Sequence, residues 1–98
     1  MAITLNKYAE KCEEIAIAGG RITPNSSATP LLYDISRCWR ELRNATNFKS
    51  LNNGRWSEKE EAASEVIISA MTYLRRIGCD NIEQLLRDSI ERHARQNE

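Results

Sequence analysis

An all-α fold is what this chain predicts, and three observations carry it. The first is the stretch from Glu58 to Asp80, EKEEAASEVIISAMTYLRRIGCD, with an acidic start, a wide apolar arc and a glycine stop. Wound at about 100° per residue, Ala62, Ala63, Val66, Ile67, Ala70, Tyr73, Leu74 and Ile77 fill roughly 140° of one face, and Ile68 and Met71 widen it. The second is that three further segments repeat apolar residues at helical spacing between Gly, Pro and Asn punctuation. The third is that no segment shows convincing strand alternation and no repeat of solenoid length is present. Together they predict a four-helix bundle forming a single domain over residues 1–98.

The first helix is expected from about Leu5 to Ala18, with Thr4 as cap and Gly19-Gly20 as stop. Leu5, Tyr8, Ala9, Cys12, Ile15 and Ala16 make its apolar stripe. Arg21 to Ala28 reads as loop, since Pro24, Asn25, Ser26 and Ser27 are turn formers. The second helix opens with Thr29 as cap and Pro30 at the first helical position, where its missing N–H costs nothing. It runs to about Ala45, with Leu31, Leu32, Ile35, Cys38, Trp39 and Leu42 inward and Arg37, Arg40 and Arg43 outward. A connection follows, with a turn at Asn52-Asn53-Gly54. The third helix starts after Ser57, which has capping-box spacing to Glu60, and ends at Gly78. Asp80 and Glu83 repeat that spacing and start a fourth helix reaching about Arg95, striped by Ile82, Leu85, Leu86, Ile90 and Ala94.

Fourteen basic and fourteen acidic residues leave no net charge, which argues against a general nucleic-acid binder. Arg37, Arg40 and Arg43 alternate with apolar residues rather than forming a recognition face, so a helix-turn-helix DNA reader is a distant option. No apolar run approaches membrane-spanning length, and MAITLNKYAEK lacks a signal-peptide core, so no membrane association and a cytoplasmic location are expected. Cys12, Cys38 and Cys79 are widely spaced and form no Cys/His cluster with His93. Reduced thiols are expected rather than a zinc site. Asn25-Ser26-Ser27 and Asn44-Ala45-Thr46 match the glycosylation pattern by chance in that setting.

The third helix is too apolar for one neighbour, and a short chain gains much by sharing a core. A symmetric homo-oligomer, a homodimer or an assembly of dimers, is therefore expected, burying apolar residues of the third or second helix. Val66, Ile67, Ala70, Met71 and Leu74 are expected among the most buried residues. Glu58, Glu61 and Glu65 share the other flank of the third helix with Ser69 and Thr72. Such a carboxylate stripe suits a metal site between packed helices, and equally an ordinary solvated face.

The segments LNKYAEKCEEIAIAGG, LLYDISRCWREL and, most clearly, EEAASEVIISAMTYLRRIGCDNIEQLL resemble the MazG-like all-α nucleoside triphosphate pyrophosphohydrolases. The resemblance covers nearly the whole chain. It implies a MazG-like bundle that cleaves a nucleoside triphosphate to the monophosphate and pyrophosphate. It also implies Mg2+ held by Glu-x-x-Glu on the second helix and Glu-x-x-Asp on the third.

Carried over by position, those acids fall on Cys38 and Glu41 and on Ala62 and Glu65. The resemblance thus implies Glu41 and Glu65 as metal ligands. Asp88, Arg92 and Arg95 stand where the family shows a Lys, an Asn and an Arg that meet phosphates, so Arg95 is the implied substrate-binding residue. Thiol sulfur is a poor magnesium ligand and alanine offers none, so magnesium binding is expected to be weak or absent and no catalytic residue is assigned. A shifted cluster, in which Asp34, Glu58 and Glu61 join Glu41 and Glu65, would replace the lost pair. The plainer reading pairs Asp34 with Arg37 and leaves Glu58 and Glu61 as solvated first-turn acids. Trp39 is expected in the core, and Trp56 either stacks on a base or staples the third helix. The alternative function is a non-catalytic oligomeric binding or regulatory module on the same scaffold.

Overall fold

The computed structural model describes residues 4–23, 27–51 and 54–96. Pro24, Asn25, Ser26, Asn52 and Asn53, expected to form turns, lie outside the described residues. Four helices follow in chain order: α1 Leu5–Ala18, α2 Thr29–Asn44, α3 Glu58–Arg76 and α4 Ile82–Gln96. Among the described residues the only β-type pairing is an isolated bridge between Lys49 and Ser57, and no helix is long and apolar enough to cross a membrane.

Local chemistry sets most helix ends. The Thr4 hydroxyl accepts the Lys7 N–H at 3.2 Å and caps α1. Gly20, at φ 78, turns the chain out of it, a conformation that costs glycine little. Ser57 and Glu60 form a complete capping box on α3: the Ser57 hydroxyl accepts the Glu60 N–H and the Glu60 carboxylate accepts the Ser57 N–H. Two expected caps shift by one residue. Ala28, not Thr29, precedes α2, with no side-chain cap bond. The Asn81 side chain, not Asp80, accepts the Gln84 N–H at 3.1 Å at the start of α4. Asp80 and Asn81 are equally good caps by type, and Asn81 is the one also tied to α1, where the Asn6 side-chain amide donates to it.

α3 is the central element, packed on α2 along one side and on α1 along another, whereas α4 packs mainly on α1. One core patch joins Ala9, Met71 and Ile82, with Leu5, Cys12, Leu74 and Cys79 around it. A second joins Ala16, Ile22 and Leu31, with Ile17 and Tyr73. The first turns of α1 and α4 are strapped together: the Asn6 N–H donates to Glu83 Oε1 at 3.3 Å, and the Glu83 N–H donates to Asn6 Oδ1 at 3.1 Å. At the far end of α3, Glu13 of α1 accepts from Arg75 and Arg76 at 3.1 and 3.2 Å.

The expected burial of α3 holds for Met71 and fails for Ile67, which is 57% exposed, while Val66, Ala70 and Leu74 are half-buried. The residues sealed in its seams include Ser69 and Thr72, which the helical wheel places on the solvated flank. The reason is steric. Small side chains let neighbouring helices approach, and each hydroxyl finds a partner, Cys38 Sγ for Ser69 and the Ile68 carbonyl for Thr72. Trp39 is also outside the expected core, 52% exposed, with the Arg43 guanidinium 5.0 Å over its ring.

Candidate functional site

The α2–α3 seam is where the acids implied by the family resemblance converge in part. Deep in it Cys38 is buried, its sulfur 3.3 Å from Ser69 Oγ. Towards the start of α3 an open groove of ≈ 570 Å³ lies between the two helices. Arg37, Arg40, Glu41 and Asn44 of α2 form one wall, with Glu58 and Ala62 of α3 opposite.

The acids of this region already have partners. Arg37 donates to Glu41 Oε1 at 3.2 Å and to Asp34 Oδ1 at 3.5 Å, so one guanidinium bridges both acids of α2. Their spacing, three and four residues from Arg37, is what places them on its side of the helix. Glu58 Oε2 accepts the Thr46 hydroxyl at 2.7 Å and the Thr46 N–H at 3.2 Å. Those bonds, the hydroxyl's first, hold the Glu58 carboxyl below the usual glutamate range. Glu58 thus fastens the loop entering α3: its own N–H donates to the Phe48 carbonyl, and the Lys59 N–H to the Thr46 carbonyl.

The remaining candidates lie elsewhere. Glu65 is exposed and outside the groove walls. It sits near enough to Cys12 of α1 to act on that thiol, whose pKa is raised mainly by burial, against an opposing effect of Arg21. Glu61 lines a second hollow of ≈ 290 Å³ with Trp56, Glu60 and Ser64. Its Oε1 is buried without a hydrogen-bond partner among the described residues. Trp56 carries Arg55 over its ring at 4.9 Å, so it is a wall of this hollow and a cation platform. Arg95 is exposed on the last turn of α4, a helix packed mainly on α1. All three cysteines are free.

This donor set does not fit a magnesium cluster. Magnesium wants several hard oxygens around one point. Cys38 supplies sulfur already engaged with Ser69, Ala62 supplies nothing, and Glu41 and Glu58 face the groove with their charges committed to Arg37 and Thr46. Among the described residues no three Asp, Glu, His or Cys side chains converge as a cation cage. The Asp34–Arg37 pair was legible from the sequence. The hold of Thr46 on Glu58 was not, because no helical spacing connects a loop hydroxyl to an acid twelve residues on.

Comparison of the chain with protein-family models, characterised proteins and solved structures finds no match.

Proposed function

We propose that this chain is a non-catalytic, self-associating helical module built on the MazG-like plan, with the α2–α3 groove as its ligand-facing surface. The observation that carries the reading is the Arg37 guanidinium, which bridges Asp34 and Glu41. A guanidinium is always charged and takes the place that a divalent cation would need. Arg40, exposed on the same wall with no ion-pair partner among the described residues, offers a cation to an anionic ligand such as a nucleoside phosphate.

Self-association is supported by the shape of the chain. Its accessible surface is 7391 Å², against about 5,700 Å² expected of a folded monomer of 11.2 kDa. Its radius of gyration is 15.0 Å, against about 13 Å for a compact chain of this length. Leu32, Trp39, Phe48, Leu51, Ile67 and Ile90 are among the large apolar residues left in water.

The competing reading is a working MazG-like enzyme that converts a nucleoside triphosphate to the monophosphate and pyrophosphate with Mg2+. Glu41 and Glu58 standing in one groove beside Ala62 favour it. Titration with magnesium or manganese against a panel of nucleoside triphosphates separates the two, reading melting temperature and pyrophosphate release together. The module reading expects no metal-dependent release. Robust release, lost in both Glu41→Gln and Glu65→Gln, would restore the enzyme.

A further inference from the structure

We propose that the α2–α3 groove takes a small zwitterion, a molecule carrying an ammonium and a carboxylate, held between Arg40 on one wall and Glu58 on the other. The inference rests on the ligand-facing role of the groove proposed above and narrows its ligand from a plain anion to one that bears both charges.

The two walls carry opposite charges that the chain itself does not join. Arg37 is spent on Asp34 and Glu41. Arg40, on the same wall, is exposed and has no ion-pair partner among the described residues. Glu58 lines the wall opposite. Its Oε2 accepts both bonds from Thr46, and its Oε1 has no partner among the described residues. Those two bonds fix the carboxylate at the first residue of α3 and favour its charged form. Arg40 sits on a helix that packs along α3, so neither group is on a free loop. Asn44, one turn beyond Arg40, is exposed in the same groove, and its side-chain amide makes no hydrogen bond among the described residues. A carboxylate oxygen, a guanidinium and an amide thus stand unspent around one space of ≈ 570 Å³, within the range of small-molecule sites.

Charge then selects among ligands. Two arginines and two glutamates line the groove, so their charges cancel. A polyanion drawn to Arg40 meets Glu41 and Glu58, and a polyamine drawn to Glu58 meets Arg37 and Arg40. A zwitterion meets neither penalty. Its carboxylate accepts from the fork of the Arg40 guanidinium, and its ammonium donates to Glu58 Oε1. Because Arg40 and Glu58 form no ion pair with each other, the ligand spans a gap between them. The spacing of its two charges therefore decides how well it fits.

Amide chemical shifts of the isotope-labelled chain at low salt test this. The probes are glycine, β-alanine, γ-aminobutyrate and ε-aminocaproate, a series of growing charge spacing. Acetate, methylamine and adenosine monophosphate are the controls. One member of the series is expected to shift Arg40, Asn44 and Ala62 and to bind more tightly than acetate or methylamine. Arg40→Gln and Glu58→Gln are each expected to weaken it by about threefold or more, the loss of one charge pair. Gln at position 58 still accepts from Thr46, so the start of α3 is kept. Lys11→Gln on α1 is expected to leave binding unchanged. A series that binds no better than acetate overturns this inference and leaves the groove its ligand-facing role. Adenosine monophosphate binding there more tightly than every zwitterion, and more tightly still in Glu58→Gln, does the same. Zwitterion shifts that persist in both groove variants put the binding elsewhere and also overturn it. Groove residues that no compound shifts overturn both this inference and the ligand-facing reading.

Discussion

Replacing Arg37 by Gln tests whether the groove is closed to cations by its own arginine. The substitution keeps a polar side chain of moderate length and removes the charge that bridges Asp34 and Glu41 at 3.5 and 3.2 Å. Both pairs are solvent-exposed helix pairs, worth about 0.3–0.5 kcal/mol each, so their loss costs about 0.5–1 kcal/mol. For a domain of this size that lowers the melting temperature by about 2 to 8 °C. The second effect has the opposite sign and depends on magnesium. Freed from the guanidinium, Asp34 and Glu41 leave the groove one unit more negative, with Glu58 on the facing wall. If magnesium then binds with Kd near 1 mM, 10 mM returns about 1.4 kcal/mol by mass action. Thermal melts of parent and variant in 10 mM magnesium chloride, against sodium chloride of equal ionic strength, read both effects. The expected result is a magnesium-dependent rise larger in Arg37→Gln than in the parent. A parent that gains as much as the variant would show that Arg37 does not block the groove, and the reasoning would fail.

Four further outcomes follow from the contacts of these helices. Ser57→Ala removes the hydroxyl half of the α3 capping box and is expected to cost about 1 kcal/mol, read as a lower denaturation midpoint with unchanged slope. Glu58 has a lowered pKa in the folded chain, so its contribution is present above the ordinary value of 4.5 and is lost as pH falls through the folded value. Melts between pH 3 and 6 are therefore expected to show a shallower acid loss in Glu58→Gln than in the parent, and identical profiles would contradict the role given to Thr46. Cys38→Glu is expected to unfold the chain or lower its melting temperature by well over 10 °C, since a buried carboxylate carries a penalty of several kcal/mol. Ala62→Glu, in the open groove beside Arg37 and Arg40, is expected to change stability by less than about 0.5 kcal/mol.

The helices were legible because their ends are set locally. Thr4, Gly20, Ser57 with Glu60, and Gly78 at φ 97 each act on backbone groups within a turn of themselves. The cap of α4 falls one residue from its expected place because Asp80–Glu83 and Asn81–Gln84 offer the same spacing. Only the contact of Asn81 with Asn6, 75 positions away in the chain, separates them. Faces were harder than ends. The helical wheel gives the width of the apolar arc on α3 and leaves open which part of it neighbours cover. α1 and α2 close over Ser69, Met71 and Thr72 and leave Ile67 outside. The site was legible to the extent that it depends on one helix, as with Asp34, Arg37 and Glu41. It was hidden where a loop intervened, as with Thr46 and Glu58.

The position of Cys38 ties the fold to the proposed loss of chemistry. At this level of the seam the thiol and the Ser69 hydroxyl are 3.3 Å apart, with 2% and 5% of their residues' surface exposed. A glutamate at position 38 would need room for a longer side chain and a hydration shell, and neither exists between α2 and α3 there. A carboxylate at this point and a closely packed seam exclude one another, so a chain with Cys38 gains α2–α3 contact where an acid would hold the helices apart. Ala62 stands where the groove is already open, and an acid restored there would face Arg37 and Arg40. The two positions where the resemblance implies acids are therefore not equivalent. One is closed off by packing, and at the other an acid would be neutralised by arginines rather than left free for a cation. A chain carrying Ala62→Glu alone would still lack a second hard donor deep enough to hold a cation between the helices.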